Sequence, residues 1–328
     1  TLPFVMLYFN QTSLIGIFSN VVILPLIGFW VVPLGLFSAF VYPISSTVAS
    51  AGLQLSAWVL VRVYRMIEIL SELPFAAVKT FTPSWLEIGC FYLGGWALLN
   101  LRRKRWAGII LIAALLATGI DTLYWLNQRL WHENFRVTVI DVGQGSSALL
   151  ECPRGKCLLI DGGGFTDNSI FDVGASVVAP FLWKKKIMTI DTLILSHPDS
   201  DHLNGLLYIA ENFHVKNIWT NGEKSSSVAY HTFLDVVRKK DMTMPAFNHL
   251  PRRQTINGVK VWIPHPSDRF LDNQKIEPRR SVNNNSLVIH AGFKSVSFLF
   301  PGDIMASAER EMAEKWGAQL QSTVLVSP

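Results

Sequence analysis

Four side chains able to bind a metal ion fall within six residues, in the run His197-x-Asp199-x-Asp201-His202. Imidazole suits zinc, and carboxylates shift the preference toward harder ions such as manganese or magnesium. The alternate spacing lets His197 and Asp199 point one way. Asp201 and His202, at a turn into a helix, then serve a neighbouring position. That pattern fits a two-metal site with ions about 3.5–4 Å apart. A helix cap would account for Asp201 alone and not for all four residues.

The elements around the run are those that position such a loop. An apolar strand at Ile190–Leu195 leads into it, and a helix at about Leu203–Asn212 comes after it. Further strands are expected at Phe135–Val142, Ser147–Glu151, Lys156–Asp161, Val215–Thr220, Val259–Pro264, Ser286–Ala291 and Ser295–Phe300. The turns between them are rich in glycine: Gly143-Gln144-Gly145, Gly162-Gly163-Gly164 and Pro301-Gly302-Asp303. Strands alternating with helices over short loops predict a layered α/β domain.

The first 130 residues are of another kind. The whole chain of 328 residues is 50% apolar and only 16% charged, and residues 1–61 contain no Asp, Glu, Lys, Arg or His. This excludes a purely soluble protein, a disordered one and a small disulfide scaffold. Stretches of spanning length lie at about 21–42, 53–70, 85–101 and 106–125, with Pro3–Phe9 as the tail of an earlier span. Pro25 and Pro33 kink or break the first of these, by structural accident or beside a polar path. Arg62, Arg65 and Glu68 share one face near the end of the second, where snorkelling to the interface is expected. Residues 1–130 are thus expected to be transmembrane helices, and 131–328 a separate domain.

The net charge of +5 does not mark a nucleic-acid surface. Residues 131–328 hold 21 basic and 20 acidic side chains, so the excess lies in Arg102-Arg103-Lys104-Arg105. By the positive-inside rule this cluster faces the cytoplasm, which predicts an extracytoplasmic domain after the last span. Lys184–Lys186, Arg238–Lys240, Arg252-Arg253 and Arg279-Arg280 are read as ordinary solvated surface, and His265 as a loop residue. Cys152 and Cys157 flank the turn Pro-Arg-Gly-Lys and form either a disulfide in an oxidising compartment or two buried thiols.

The motifs Val-Ile-Asp-Val-Gly-Gln-Gly (139–145), Leu-Ile-Asp-Gly-Gly-Gly (159–164), Ser-His-Pro-Asp-Ser-Asp-His-x-x-Gly (196–205) and Phe-Pro-Gly-Asp (300–303) resemble the metallo-β-lactamase superfamily. Their combination resembles the ComEC family of DNA-uptake proteins, and the apolar segment resembles the end of that family's transmembrane competence domain. The resemblance implies an αββα metallo-β-lactamase-like domain behind all-α transmembrane helices. It implies His197, Asp199, Asp201, His202 and Asp303 as metal ligands, with Asp201 also orienting or deprotonating the attacking water. Asp161 would orient a ligand from behind.

Asp199 stands where the superfamily usually has its second His, and Asn283-Asn284-Asn285-Ser286 occupies the region of the middle His ligand. A solvated turn is the other reading of that asparagine run. The chain starts at Thr1 and stops at Pro328, just before the segment in which the last His is expected, so a fragment truncated at both ends is expected. The function implied is a bacterial inner-membrane DNA-internalisation protein. Its spans would contribute to a channel for single-stranded DNA, and its outer domain would be a nuclease acting on double-stranded DNA with Zn, Mn or Mg. Membrane lipid and other uptake components are the further partners. The alternatives are a non-catalytic DNA-guiding or structural domain and a membrane-tethered small-molecule metallohydrolase.

Overall fold

The computed structural model describes residues 1–73, 76–168, 170–267 and 281–327. They divide into two compact units, Thr1–Phe81 and Thr82–Pro328.

The first unit is helical: α1 (Leu2–Phe9), α2 (Gly16–Leu26), α3 (Val32–Val41) and α4 (Ser46–Ser71). A π-helical turn at Ile27–Val31, between Pro25 and Pro33, joins α2 to α3 into one stretch. Proline removes a backbone donor, and a widened turn absorbs the lost bond. Ser56 donates its hydroxyl to the Val31 carbonyl inside this turn (3.0 Å). A two-residue ribbon pairs β1 (Gln11–Thr12) with β2 (Val78–Lys79). Pro3–Phe9 thus lies in a helix of eight residues.

The second unit opens with α5 (Trp85–Asn100) and α6 (Ala107–Leu126). A capping box starts α5: Ser84 accepts from the Glu87 amide and Glu87 accepts from the Ser84 amide. Among the described residues, two helical stretches, Gly16–Val41 and Ala107–Trp131, are long and apolar enough to cross a membrane. Ion pairs tie the α5–α6 region to the strand-rich part of the same unit. Lys186 reaches Glu87 (2.8 Å), and Arg129 reaches Glu151 (3.0 Å).

The remainder is a sandwich of two five-stranded sheets. The first has the order β3-β4-β5-β6-β7: Arg136–Val139, Ala148–Glu151, Cys157–Ile160, Thr189–Leu195 and His214–Thr220. The second runs β12-β11-β10-β9-β8, with β8 Arg253–Ile256, β9 Val259–His265, β10 Val288–Phe293, β11 Val296–Phe300 and β12 Val324–Leu325. Alternation of side chains along each strand builds the layers. Leu150, Leu158 and Ile194 face Val261, Ile263 and Ile289 of the other sheet. Leu149, Leu159 and Leu193, one residue along, face a helical layer of α7 (Ala179–Lys184), α8 (Ser200–Asn212) and α9 (Val228–Lys239). On the far side Val288 and Leu299 meet Ala308 and Met312 of α10 (Ala306–Trp316). The result is four layers, α-β-β-α.

The same alternation decides the cysteines. Cys152 packs in the core between the sheets, and Cys157 packs against the helices on the opposite face. Both are free thiols, so the disulfide reading is wrong here. The expected strand bounds shift by one to three residues at several ends, and β1, β2, β8 and β12 fall outside the expected set. His265 is the buried last residue of β9 rather than a loop residue, with Nε2 at 2.8 Å from the Asn284 carbonyl.

Candidate metal centre

The centre forms where β6, β11 and the loops behind them end together. The β6 strand is fully buried over its last residues and runs straight into Ser196-His197. Helix α8 starts at Ser200, with Asp199 at its N-cap position and Asp201 in its first turn. Asp201 therefore does not cap the helix, contrary to the local alternative.

Close approach of backbone holds this loop. Gly145 has φ +73°, and a Cβ there would collide with the Asp201 carbonyl. A Cβ on Gly205 would collide with the Gly162 carbonyl. Only glycine satisfies both positions, which is the physical use of the glycine-rich turns.

Asp161 organises the interior of the site. It is a non-glycine residue in the left-handed region (φ +55°), a conformation held only where its surroundings over-determine it. Its Oδ1 accepts from the Ser196 amide (2.7 Å), and its Oδ2 accepts from the Ser196 hydroxyl (2.7 Å). The same Oδ2 lies 2.9 Å from His202 Nδ1. A carboxylate at Nδ1 fixes the proton there and leaves the Nε2 lone pair pointing away.

His197 is anchored in the same way, by hydroxyls. Its Nδ1 lies 3.0 Å from Ser196 Oγ and 3.2 Å from Ser286 Oγ. Both rings are fully buried, with centroids 4.1 Å apart. Neither Nε2 has a hydrogen-bond partner among the described residues.

Carboxylates face these two orphaned atoms. Asp303 Oδ1 is 3.2 Å from His202 Nε2, Asp199 Oδ2 is 3.5 Å from His197 Nε2, and Asp201 Oδ2 is 3.9 Å from His202 Nε2. These contacts are within ion-pair reach. Ligand atoms of His197, His202 and Asp303 lie within 4.8 Å of one another. Two buried nitrogens with unused lone pairs, facing acidic oxygens, are the donor set a divalent cation requires. The residues present fit the group.

The charges agree with that fit. Burial alone would push His202 down; the Asp161 and Asp303 carboxylates outweigh it, and the imidazole is pushed up to about 10. The His202 imidazole beside Asp303 holds that carboxyl below its usual range, and His197 does the same for Asp199.

The asparagine run is not a solvated turn. Asn284 and Asn285 are buried, and Asn284 Oδ1 accepts from the Met305 amide (2.9 Å). The Asn285 carbonyl accepts from Asn221 (2.8 Å). Sequence reasoning missed Glu223, whose half-buried carboxylate reaches toward Asn221 (3.4 Å) and Asn285 (3.5 Å), and which burial pushes up. The signal was present as Asn-Gly-Glu straight after a buried strand. Ser286, beside His197, was noted only as part of the asparagine run.

Comparison with known proteins decides the family. The profile of the metallo-β-lactamase superfamily matches residues 140–324. The chain belongs to that superfamily. The first 105 residues of this metallo-β-lactamase superfamily member match the Competence protein family. That combination bears out the resemblance to the ComEC family.

Two curated relatives agree. ComE operon protein 3 of Bacillus subtilis is 23% identical over 95% of this chain and 40% of its own length. Recombination protein 2 of Haemophilus influenzae is 25% identical over 70% of this chain and 31% of its own length. The chain thus spans well under half of either relative. Among solved structures, the diiron β-hydroxylase CmlA from Streptomyces venezuelae is similar at 17% identity, over 56% of this chain and 33% of that one, with a TM-score of 0.32.

Proposed function

We propose that this chain is part of a bacterial inner-membrane DNA-internalisation protein. In this reading residues 1–130 are its membrane helices and contribute to a channel for single-stranded DNA. Residues 131–328 form an extracytoplasmic, metal-dependent nuclease domain. The observation that carries the enzymatic half is the pair of buried, orphaned Nε2 atoms of His197 and His202 facing Asp303, Asp199 and Asp201.

His197, His202 and Asp303 would hold the metal, with Asp199 and Asp201 at the more open side. A divalent ion there supplies electrostatic stabilisation of the phosphoryl oxygens and of the leaving oxygen. The chain's own residues do the rest. Asp161 keeps the His202 proton on Nδ1. Asp201 is 39% exposed at its side chain, so its carboxylate can meet both solvent and substrate. It orients the attacking water and accepts its proton.

The membrane half is supported by the competence match and by the two spanning-length helices. The exposed Arg102–Arg105 cluster, between α5 and α6, sets the orientation.

The test is cleavage of end-labelled double-stranded DNA by the full chain in lipid nanodiscs, with Mn2+ added or chelated. The expected outcome is metal-dependent cleavage that Asp201→Ala reduces by about 100-fold or more. Cleavage unchanged by Asp201→Ala, or DNA uptake retained with Asp199 and Asp201 both replaced by Ala, would favour a non-catalytic guiding domain.

A further inference from the structure

The outer face of the second sheet is only partly covered. Helix α10 lies over one end of it, where Trp316 donates Nε1–H to the Pro264 carbonyl (3.0 Å). At the hairpin end, beside β8 to β11, a solvent-open cavity of about 660 Å3 remains. Among the described residues, its charged lining residues are Arg253, Lys260 and Lys294, and no carboxylate lines it. That is notable in a domain whose acidic and basic residues nearly cancel.

The cations are placed with some rigidity. Arg253 stacks over the Trp262 ring (4.7 Å) and donates Nη2–H to Gln319 Oε1 (3.1 Å). The Trp262 ring is in turn held edge-on by Trp316 (5.0 Å between centroids). A guanidinium stacked on a fixed aromatic ring keeps its planar fork ready for phosphate.

Lys294 carries a second signal. It occupies the two-residue turn between β10 and β11 at φ +54°. The neighbouring turn between β8 and β9 uses Asn257-Gly258, the residues that tolerate positive φ. A lysine in that conformation is locally unfavourable. Its ammonium sits on the Phe293 ring (5.2 Å) at the rim of the same cavity. Three inter-strand spacings make the concavity roughly 14 Å across, a width suited to one polymer backbone.

We propose that this face is a docking groove for a single-stranded nucleic-acid backbone, with Arg253, Lys260 and Lys294 as its phosphate contacts. The proposal rests on the DNA-internalisation function and adds where a strand is held away from the metal centre. Trp262 is buried under Arg253, so the groove reads phosphate and not bases.

The experiment measures fluorescence anisotropy of a labelled 12-nucleotide oligo(dT) with the full chain in nanodiscs and EDTA present, across a range of NaCl. Triple replacement R253Q/K260Q/K294G is expected to weaken binding by tenfold or more. It should also lower the slope of log affinity against log salt by about 2, at about 0.7 per lost phosphate contact. A second variant, K260Q/K294G, keeps the Arg253–Trp262 stack; it should lower the slope by about two-thirds as much as the triple variant, with its melting temperature unchanged or raised. Unchanged affinity and slope in both variants overturns the groove. So does a change in oligomeric state or protease pattern with unchanged oligonucleotide binding, which would show a protein segment covering the face. Neither result touches the metal centre, which Asp201→Ala reads separately.

Discussion

The helical part and the sandwich place apolar side chains in opposite ways. In the sandwich the large ones are inside: Leu149, Leu159, Leu193 and Phe233 are fully buried. In the helices most of the large ones are outside. Ile17 and Phe18 are 75% exposed and Leu99 is 84% exposed; most buried helix positions are small (Ser38, Ala49, Ser56, Ala97, Ala107 and Ala114), beside Ile23, Val63 and Ile88. Water drives large apolar groups inward and gives the first pattern. Where hydrocarbon surrounds the helices there is no such drive, and small residues mark the helix contacts instead. In the proposed membrane placement of residues 1–130, one chain reports two solvents.

The comparison breaks first at the cores. Leu159→Ala should cost about 2–5 kcal/mol, because it leaves a cavity in a filled layer. Leu99→Ala, on α5, should stay within about 0.5 kcal/mol in lipid. Denaturation of both variants in nanodiscs checks this, and equal losses would mean that the α5 surface is buried against protein.

The next effect is electrostatic. In the metal-free domain His202 is pushed up to about 10, above its ordinary value of 6.5. Its pairing with Asp161 and Asp303 therefore contributes fully below about pH 6.5 and is lost as pH rises through about 10. Metal must displace that proton, so apparent metal affinity should rise about tenfold per pH unit between pH 7 and 9. Calorimetry in buffers of different ionisation enthalpy would show about one proton released. A pH-independent affinity would place the metal away from His202.

The smallest effect is on the domain's surface. Arg238 and Asp235 pair at 2.9 Å, but both side chains are at least 70% exposed. Asp235→Ala should change stability by less than about 0.5 kcal/mol, measured by urea titration. The Arg129–Glu151–Lys185 group is the contrast within the same unit, since Glu151 is only 3% exposed at its side chain.

The strand pattern was readable because alternation along β4, β5 and β6 matches burial on both faces. The metal loop was readable because four ligand types in six residues have few other uses. Other features were set by contacts distant in sequence. Whether Cys152 and Cys157 meet depends on which core each strand face joins. The Lys184–Lys186 run looked like solvated surface, yet Lys185 and Lys186 are committed to Glu151 and Glu87. Lys240 likewise donates to the Ala210 carbonyl (2.9 Å) at the end of α8. The Arg279-Arg280 pair lies outside the described residues. Asn-Gly-Glu after a buried strand marks Glu223 as a polar loop residue, but its contact with Asn285 depends on the end of β7 lying beside the asparagine turn, which is distant in sequence. β12 is two residues long and is held by parallel pairing to β11, too short to leave a periodic trace.

The central claim is that His197, His202 and Asp303 form one metal site. Its most direct test is equilibrium Mn2+ binding to the full chain at pH 8, compared with the double variant His202→Ala/Asp303→Asn. The account predicts saturable binding that falls by at least about 100-fold in the double variant, with the melting temperature of the metal-free protein still measurable. Equal Mn2+ affinity in the two proteins would contradict it.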